Sequence, residues 1–225
     1  MPFIIKAYKY GLPVNEINQL CKKLESLVLR HRLIGTRADI ASRLNGVYKQ
    51  FDSENSDLKP ILDKIEWMKS VSSDSWWWAY WNNENLKRSI QGGINHSTAK
   101  YLLWKYENSL ISLGKSGYTA VRFDTIECPE LEHIAPQTEN PETGYDIYDE
   151  EFVQQYLNCL GNYLLLSKSH NCSVGNKPFS EKRASFNHLE QQREVQKMTV
   201  DSETWTRSLI QKRKEKIIGF IMNEL

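Results

Sequence analysis

The sequence predicts a mostly helical α+β protein: a helical bundle over residues 1–113, then a domain of short strands and helices over residues 114–225 that ends in a helix. Three observations carry this. Apolar residues recur at helical spacing through the first part of the chain. After Leu113 they change to short runs broken by Gly, Pro and Asn. Helical spacing then returns at the C-terminus.

In order, Ile17, Leu20, Leu24, Leu27 and Val28 form one helical stripe. Ile40, Leu44, Val47 and Phe51 form a second, at steps of i, i+4, i+7 and i+11. Leu58, Ile61, Leu62, Ile65 and Met68 form a third, with Asp57 or Ser56 placed to cap its start. Ser97 can cap a fourth helix that carries Leu102, Leu103, Tyr106 and Leu110. In the intervening SDSWWWAYW, Trp77 and Trp81, with Ile90 beyond it, read as core anchors rather than as a platform for stacked bases.

Beyond Leu113, GKSG signals a turn and YTAVRF alternates like a strand. Residues 126–134 (IECPELEHI) are extended, residues 142–147 form a polar loop, and residues 150–160 form a short helix stopped by Gly161. NYLLLSK follows as an apolar strand, HNCSVGNKP as a loop, and a helix begins near Ser180. A last helix over residues 202–225 turns Trp205, Leu209, Ile217, Phe220 and Ile221 to one side.

Composition narrows the function. Of the 225 residues, 40% are hydrophobic and 25% charged, an ordinary balance for a soluble globular protein. No apolar run is long enough to span a membrane, and the N-terminus lacks the pattern of a signal peptide, so a cytoplasmic location is expected. Four scattered cysteines, without a CxxC pair, suggest free thiols rather than zinc ligands or disulfides. The net charge is only +1, but it is unevenly spread. From Asp124 to Leu160 there are acids and no Lys or Arg, whereas from Lys168 onward basic residues return. Solvated surface charge accounts for this, and so does a cation site beside a phosphate-binding surface.

Three polar positions stand out in strand-like surroundings. Glu132-His133 lies inside LEHIAPQ, Asn162 opens NYLLL, and Asn171 follows nine residues later, ahead of FSEKR. Imidazole titrates near neutral pH and can take a proton from water. The oxygens of Glu132 and Asn171 suit a hard cation.

The order of an acid-His pair, an Asn and a further Asn before a helix resembles the HNH (ββα-metal) nuclease motif, here with H-N-N letters. The segments LEHIAPQ, LGNYLLLS, HNCSVGNKPFSEKR and the W-x7-R of WTRSLIQKR look like the C-terminal nuclease domain of GmrSD-type modification-dependent restriction enzymes. The resemblance covers about residues 101–225, with a weaker likeness at LVLRHRLIG.

It implies a DNA endonuclease of prokaryotic phage defence, with His133 as general base and Asn162 orienting its imidazole. One divalent cation, Mg²⁺ or Mn²⁺, would be held by Glu132 and Asn171. Lys177, Lys182, Arg183 and Arg213 would meet DNA phosphates, with an internal salt bridge as the equal alternative for Arg213. His170 is an alternative to Asn171, and Gln137 could buttress the active-site loop. In that family the domain commonly follows a nucleotide-using, DNA-sensing domain, which would be a partner here. The competing expectation is a non-catalytic DNA- or protein-binding module with a degenerate nuclease domain.

Overall fold

A computed structural model describes residues 2–75, 78–113, 120, 122–123, 129–139 and 144–225. Two compact units are present: residues 1–90 with 222–225, and residues 91–221.

The first unit is made of α1 (Pro2–Lys9), α2 (Val14–Ile34), α3 (Ile40–Gln50), α4 (Lys59–Ser70) and α5 (Asn83–Ile90). Helix α2 stops at Gly35, whose left-handed conformation (φ 70°) lets its N–H reach the His31 carbonyl. The Asp39 carboxylate caps α3 by accepting from Ala41 N at 2.8 Å. At α4 the N-cap position is Leu58, and the Asp57 carboxylate just before it accepts from Lys59 N at 2.8 Å.

The stripes meet as expected. Ile17, Leu20, Leu27, Leu44, Phe51, Ile61, Ile65, Met68 and Trp81 form one buried cluster. Val28 is an exception and faces solvent. Trp77, expected in this core, lies outside the described residues.

The second unit begins one helix earlier than the boundary expected after Leu113. Helix α6 (His96–Ser112) is capped by Asn95, not Ser97, and belongs to this unit. The reason is polar. The buried Glu107 carboxylate accepts the backbone N–H of Glu190 at 2.7 Å and of Gln191 at 2.9 Å, capping α10 (Glu190–Met198) from outside.

Among the described residues the only sheet is a pair of antiparallel strands, β1 (Pro129–His133) and β2 (Tyr163–Ser167), with Pro129 opposite Ser167 and His133 opposite Tyr163. Between them lie α7 (Glu150–Phe152), one π turn (Val153–Leu157) and one 3₁₀ turn (Leu160–Asn162). The stretch expected as a strand at YTAVRF falls largely outside the described residues.

Helix α8 (Lys168–Val174) leaves β2 directly, so the segment HNCSVGNKP is mostly helix, not loop. The Ser167 hydroxyl, accepting from His170 N at 3.2 Å, is the cap that sequence spacing did not reveal. Helices α9 (Phe179–Ser185), α10 and α11 (Arg207–Glu224), the last as far as Ile221, complete the unit.

Its core combines Ile134, Phe152, Leu164, Leu166, Phe179, Phe186 and Trp205 with fully buried polar groups. The W-x7-R pair is part of this scaffold. Trp205 Nε1 donates to Asn162 Oδ1 at 3.1 Å. Arg213 Nη1 donates to the carbonyls of Leu160, Gly161 and Tyr163 at 3.2, 2.9 and 2.6 Å. Arg213 is 0% exposed and cannot meet DNA, which corrects its expected role. Three carbonyls at the turn into β2 need donors, and the guanidinium supplies them.

Candidate active site

His133 ends β1, half-buried, with its ring edge-on to Tyr163 at 4.9 Å between centroids. Its Nε2 lies 3.0 Å from Asn158 Oδ1. An amide oxygen only accepts, so Nε2 carries the proton and Nδ1 keeps a lone pair. Burial pushes the imidazole below its ordinary pKa. The Asn158 hydrogen bond opposes this, while the nearby His96 and Lys182 charges reinforce it. The ring is therefore held toward its neutral, proton-accepting form.

Asn158, not Asn162, touches the imidazole. The Asn162 amide is fully enclosed and uses all its capacity elsewhere. Its oxygen accepts from Ala135 N (2.8 Å) and Trp205 Nε1, and its nitrogen donates to Ala135 O (3.0 Å) and Leu157 O (2.9 Å). Its backbone oxygen accepts from Ile134 N at 2.9 Å. Asn162 thus fixes the chain immediately after His133 rather than the ring itself.

Glu132 points to the other face of β1 and is buried against Lys182. The Lys182 ammonium, 0% exposed, donates to Glu132 Oε1 and also to the carbonyls of His133 (3.0 Å) and Ile134 (3.4 Å). Burial raises the Glu132 pKa and lowers that of Lys182, and each charge counteracts the shift of the other. An enclosed ammonium with three oxygen partners is not available to DNA, so Lys182 leaves the expected phosphate-binding set.

Asn171 lies on α8, and its Oδ1 is buried with no hydrogen-bond partner. His170 is engaged elsewhere: its Nε2 meets Ser185 Oγ at 2.8 Å and its ring packs on Phe186 and His188. Lys177 is exposed and lies 3.8 Å from Glu181. Arg183 is half-buried beside an open groove. Gln137 is exposed. Of the acidic segment, Asp146, Asp149 and Glu151 surround Arg207 at 3.2, 3.0 and 3.0 Å, so these acids tether a loop to the start of α11.

Two residues escaped sequence reasoning. Asn158 ends an irregular turn that no periodicity marks. His96, at the start of α6, brings its ring to 6.2 Å from that of His133 and 5.9 Å from Tyr163. Only the fold brings residue 96 to residue 133.

The oxygen donors expected for a divalent cation, Glu132 and Asn171, sit on separate elements, β1 and α8. Among the described residues no three His, Cys, Asp or Glu side chains gather into a metal cage. Glu132 shares one oxygen with Lys182, and the orphaned Asn171 oxygen is the kind of buried acceptor a hard cation satisfies.

Comparison with known proteins then adds one finding. The family model described as GmrSD restriction endonucleases, C-terminal domain, matches residues 79–220. No curated protein and no solved structure matches the chain significantly.

Proposed function

Since the chain belongs to the family of GmrSD restriction endonuclease C-terminal domains, and is thereby a restriction-type nuclease domain, we propose that it hydrolyses DNA phosphodiester bonds by an HNH-type mechanism. The observation that carries this reading is His133: an imidazole at the end of a hairpin, its Nε2 set against Asn158 Oδ1 and its Nδ1 without a partner among the described residues.

In this reading a water attacks phosphorus while His133 Nδ1 takes its proton. The bond to the leaving oxygen breaks, and that oxygen is protonated from solvent. Asn158 holds the ring plane, and Asn162 holds the backbone on which the ring is mounted. Asn171, with Glu132 once it exchanges Lys182 for the cation, would hold a single Mg²⁺ or Mn²⁺, whose chemistry is to offset charge on the phosphate and the leaving oxygen. Lys182 fixes Glu132 and the His133 carbonyl, acting through them.

The setting is a prokaryotic, cytoplasmic phage-defence system in which a nucleotide-dependent DNA-sensing domain or subunit supplies recognition. No helix among the described residues is long and apolar enough to cross a membrane. The ion pair that engages Glu132 favours one other reading, a non-catalytic module whose hairpin is closed by Lys182.

Plasmid nicking with added Mg²⁺ or Mn²⁺ separates the two. His133→Ala should lower the rate by about 10²–10⁴-fold, the usual contribution of a general base, with an unchanged circular dichroism spectrum. Glu132→Gln and Asn171→Ala should raise the metal concentration needed. Undiminished nicking by His133→Ala would remove His133 from the base role. A wild-type chain inert on matched DNA and RNA duplexes with either metal would leave the non-catalytic reading.

A further inference from the structure

We propose that the groove between α9 and α10 seats the phosphate backbone of DNA flanking the scissile bond, with Arg183, Arg193 and Lys197 as its phosphate ligands. The proposal rests on the nuclease reading and gives it a binding surface.

The groove is open, encloses about 470 Å³, and is lined by three cations and no carboxylate. Arg183 and Lys197 have no ion-pair or hydrogen-bond partner for their charged groups among the described residues. Arg193 is shared with Glu190, and its Nη2 donates to Asn187 O at 3.0 Å. Arg193 and Lys197 are one helical turn apart on α10, which places their Cβ atoms about 6 Å from each other on one face. Arg183 faces them from α9. Three cations spread along an open trough suit a ligand with repeated charges better than a single small anion.

The groove is also held in fixed register with the hairpin. On the opposite face of α10, Gln191 Oε1 accepts from Leu165 N at 3.1 Å and Gln192 Nε2 donates to Leu165 O at 3.0 Å. Leu165 pairs across the sheet with Leu131, two residues before His133. On α9, Lys182 holds Glu132 and the His133 carbonyl, and Arg183 is the next residue. Gln196 Nε2 donates to Arg183 O at 2.8 Å and ties the two walls together. A phosphate gripped in the groove is therefore registered to His133 through short, buried links on both strands.

The experiment is anisotropy titration of a short labelled DNA duplex with the full chain. All variants carry His133→Ala to prevent cleavage, and binding is measured across a KCl series. Each phosphate contact contributes about 0.9 to the slope of log affinity against log salt. The variant R183Q/R193Q/K197Q should therefore lower that slope by about 2–3 and weaken low-salt binding at least about tenfold. A control, K9Q/R37Q/K49Q, which removes exposed cations of the first unit, should leave the slope unchanged. Thermal melting confirms that each variant is folded.

An unaltered slope in the groove variant, or an equal loss in the control, overturns the proposal. A matched RNA duplex bound in preference to DNA also overturns it. Failure of the groove leaves His133-dependent nicking intact. Failure of the nuclease reading would show as groove-dependent binding without metal-dependent nicking.

Discussion

The first unit closes on apolar stripes, with Ile17, Leu20 and Leu27 of α2 sharing a cluster with Ile61, Ile65 and Met68 of α4. The second encloses Arg213, Lys182, Glu107, Gln191 and Gln192 beside its apolar residues. A hydrophobic stripe is non-directional and accepts any close fit. A buried guanidinium or amide accepts only the partners that satisfy it. The first unit has a staple of this kind in Arg30, which donates to the carbonyls of Leu225 and Trp81. In the second unit the directional groups converge on the hairpin: Arg213 on the turn into β2, Asn162 on the chain after His133, and Lys182 on Glu132. Polar burial in the second unit is concentrated where a hairpin must be held in a single position.

If that contrast is sound, the largest effect belongs to Arg213. Replacing it by Met leaves three carbonyls without their donor and removes one of the two cations beside Glu194, Arg213 at 3.6 Å, leaving Lys216. Breaking such a buried group costs about 3–5 kcal/mol, measurable by urea denaturation, with amide exchange speeding up first around β2. A loss below about 1 kcal/mol would show the staple to be dispensable.

Next comes a pair of glycines, one from each unit. A Cβ on Gly161 would lie 2.1 Å from the Ile210 carbonyl oxygen, so Gly161→Ala forces α11 away and should destabilise by about 1–3 kcal/mol. Gly46, inside α3, has nothing within 4 Å of its would-be Cβ. Gly46→Ala should instead stabilise by about 0.5–1 kcal/mol. Differential scanning calorimetry reads both, and shifts of the same sign would break the comparison.

The smallest effect distinguishes two carboxylates by pH. The hydrogen bond from Lys23 holds Glu66 below its ordinary pKa. Its stabilisation is therefore complete above the unfolded value and fades as pH falls through the folded one. Glu66 is largely exposed, so this is worth less than about 1 kcal/mol. Burial holds Glu107 above its ordinary value, against the opposing hydrogen bonds from Gln191 and Glu190. Its contribution is complete below the unfolded value and fades as pH rises through the folded one. Denaturation midpoints against pH should flatten on the acid side in Glu66→Gln and on the rising side in Glu107→Gln. Identical profiles would remove the distinction.

The same contrast explains what the sequence disclosed. The stripes at Leu44, Ile61, Ile65 and Leu103 were legible because helical packing writes a period of 3.6 into the chain. The family was legible as an ordered set of words around residues 132–133, 162 and 171, and the family model matches residues 79–220. The fates of Lys182 and Arg213 were not legible. A lysine in FSEKR reads as a surface charge until Glu132 is seen beneath it, and Arg213 reads equally as a DNA contact or an internal ion pair until the Leu160 and Tyr163 carbonyls are placed. Asn158 and His96 were missed because their proximity to residue 133 is created by chain crossings, which leave no local trace. The helix at Lys168–Val174 was missed because its cap, Ser167, is also the last residue of a strand.

The two glutamines on Leu165 have one more consequence. A two-stranded hairpin ordinarily offers its outer backbone to any extended chain that drifts past, a route to strand addition and to aggregation. Along β2 that invitation is withdrawn at its midpoint, where side-chain amides from α10 already occupy the N–H and C=O of Leu165. Neither a passing peptide nor a second copy of the hairpin can zip onto that margin without first prying α10 away.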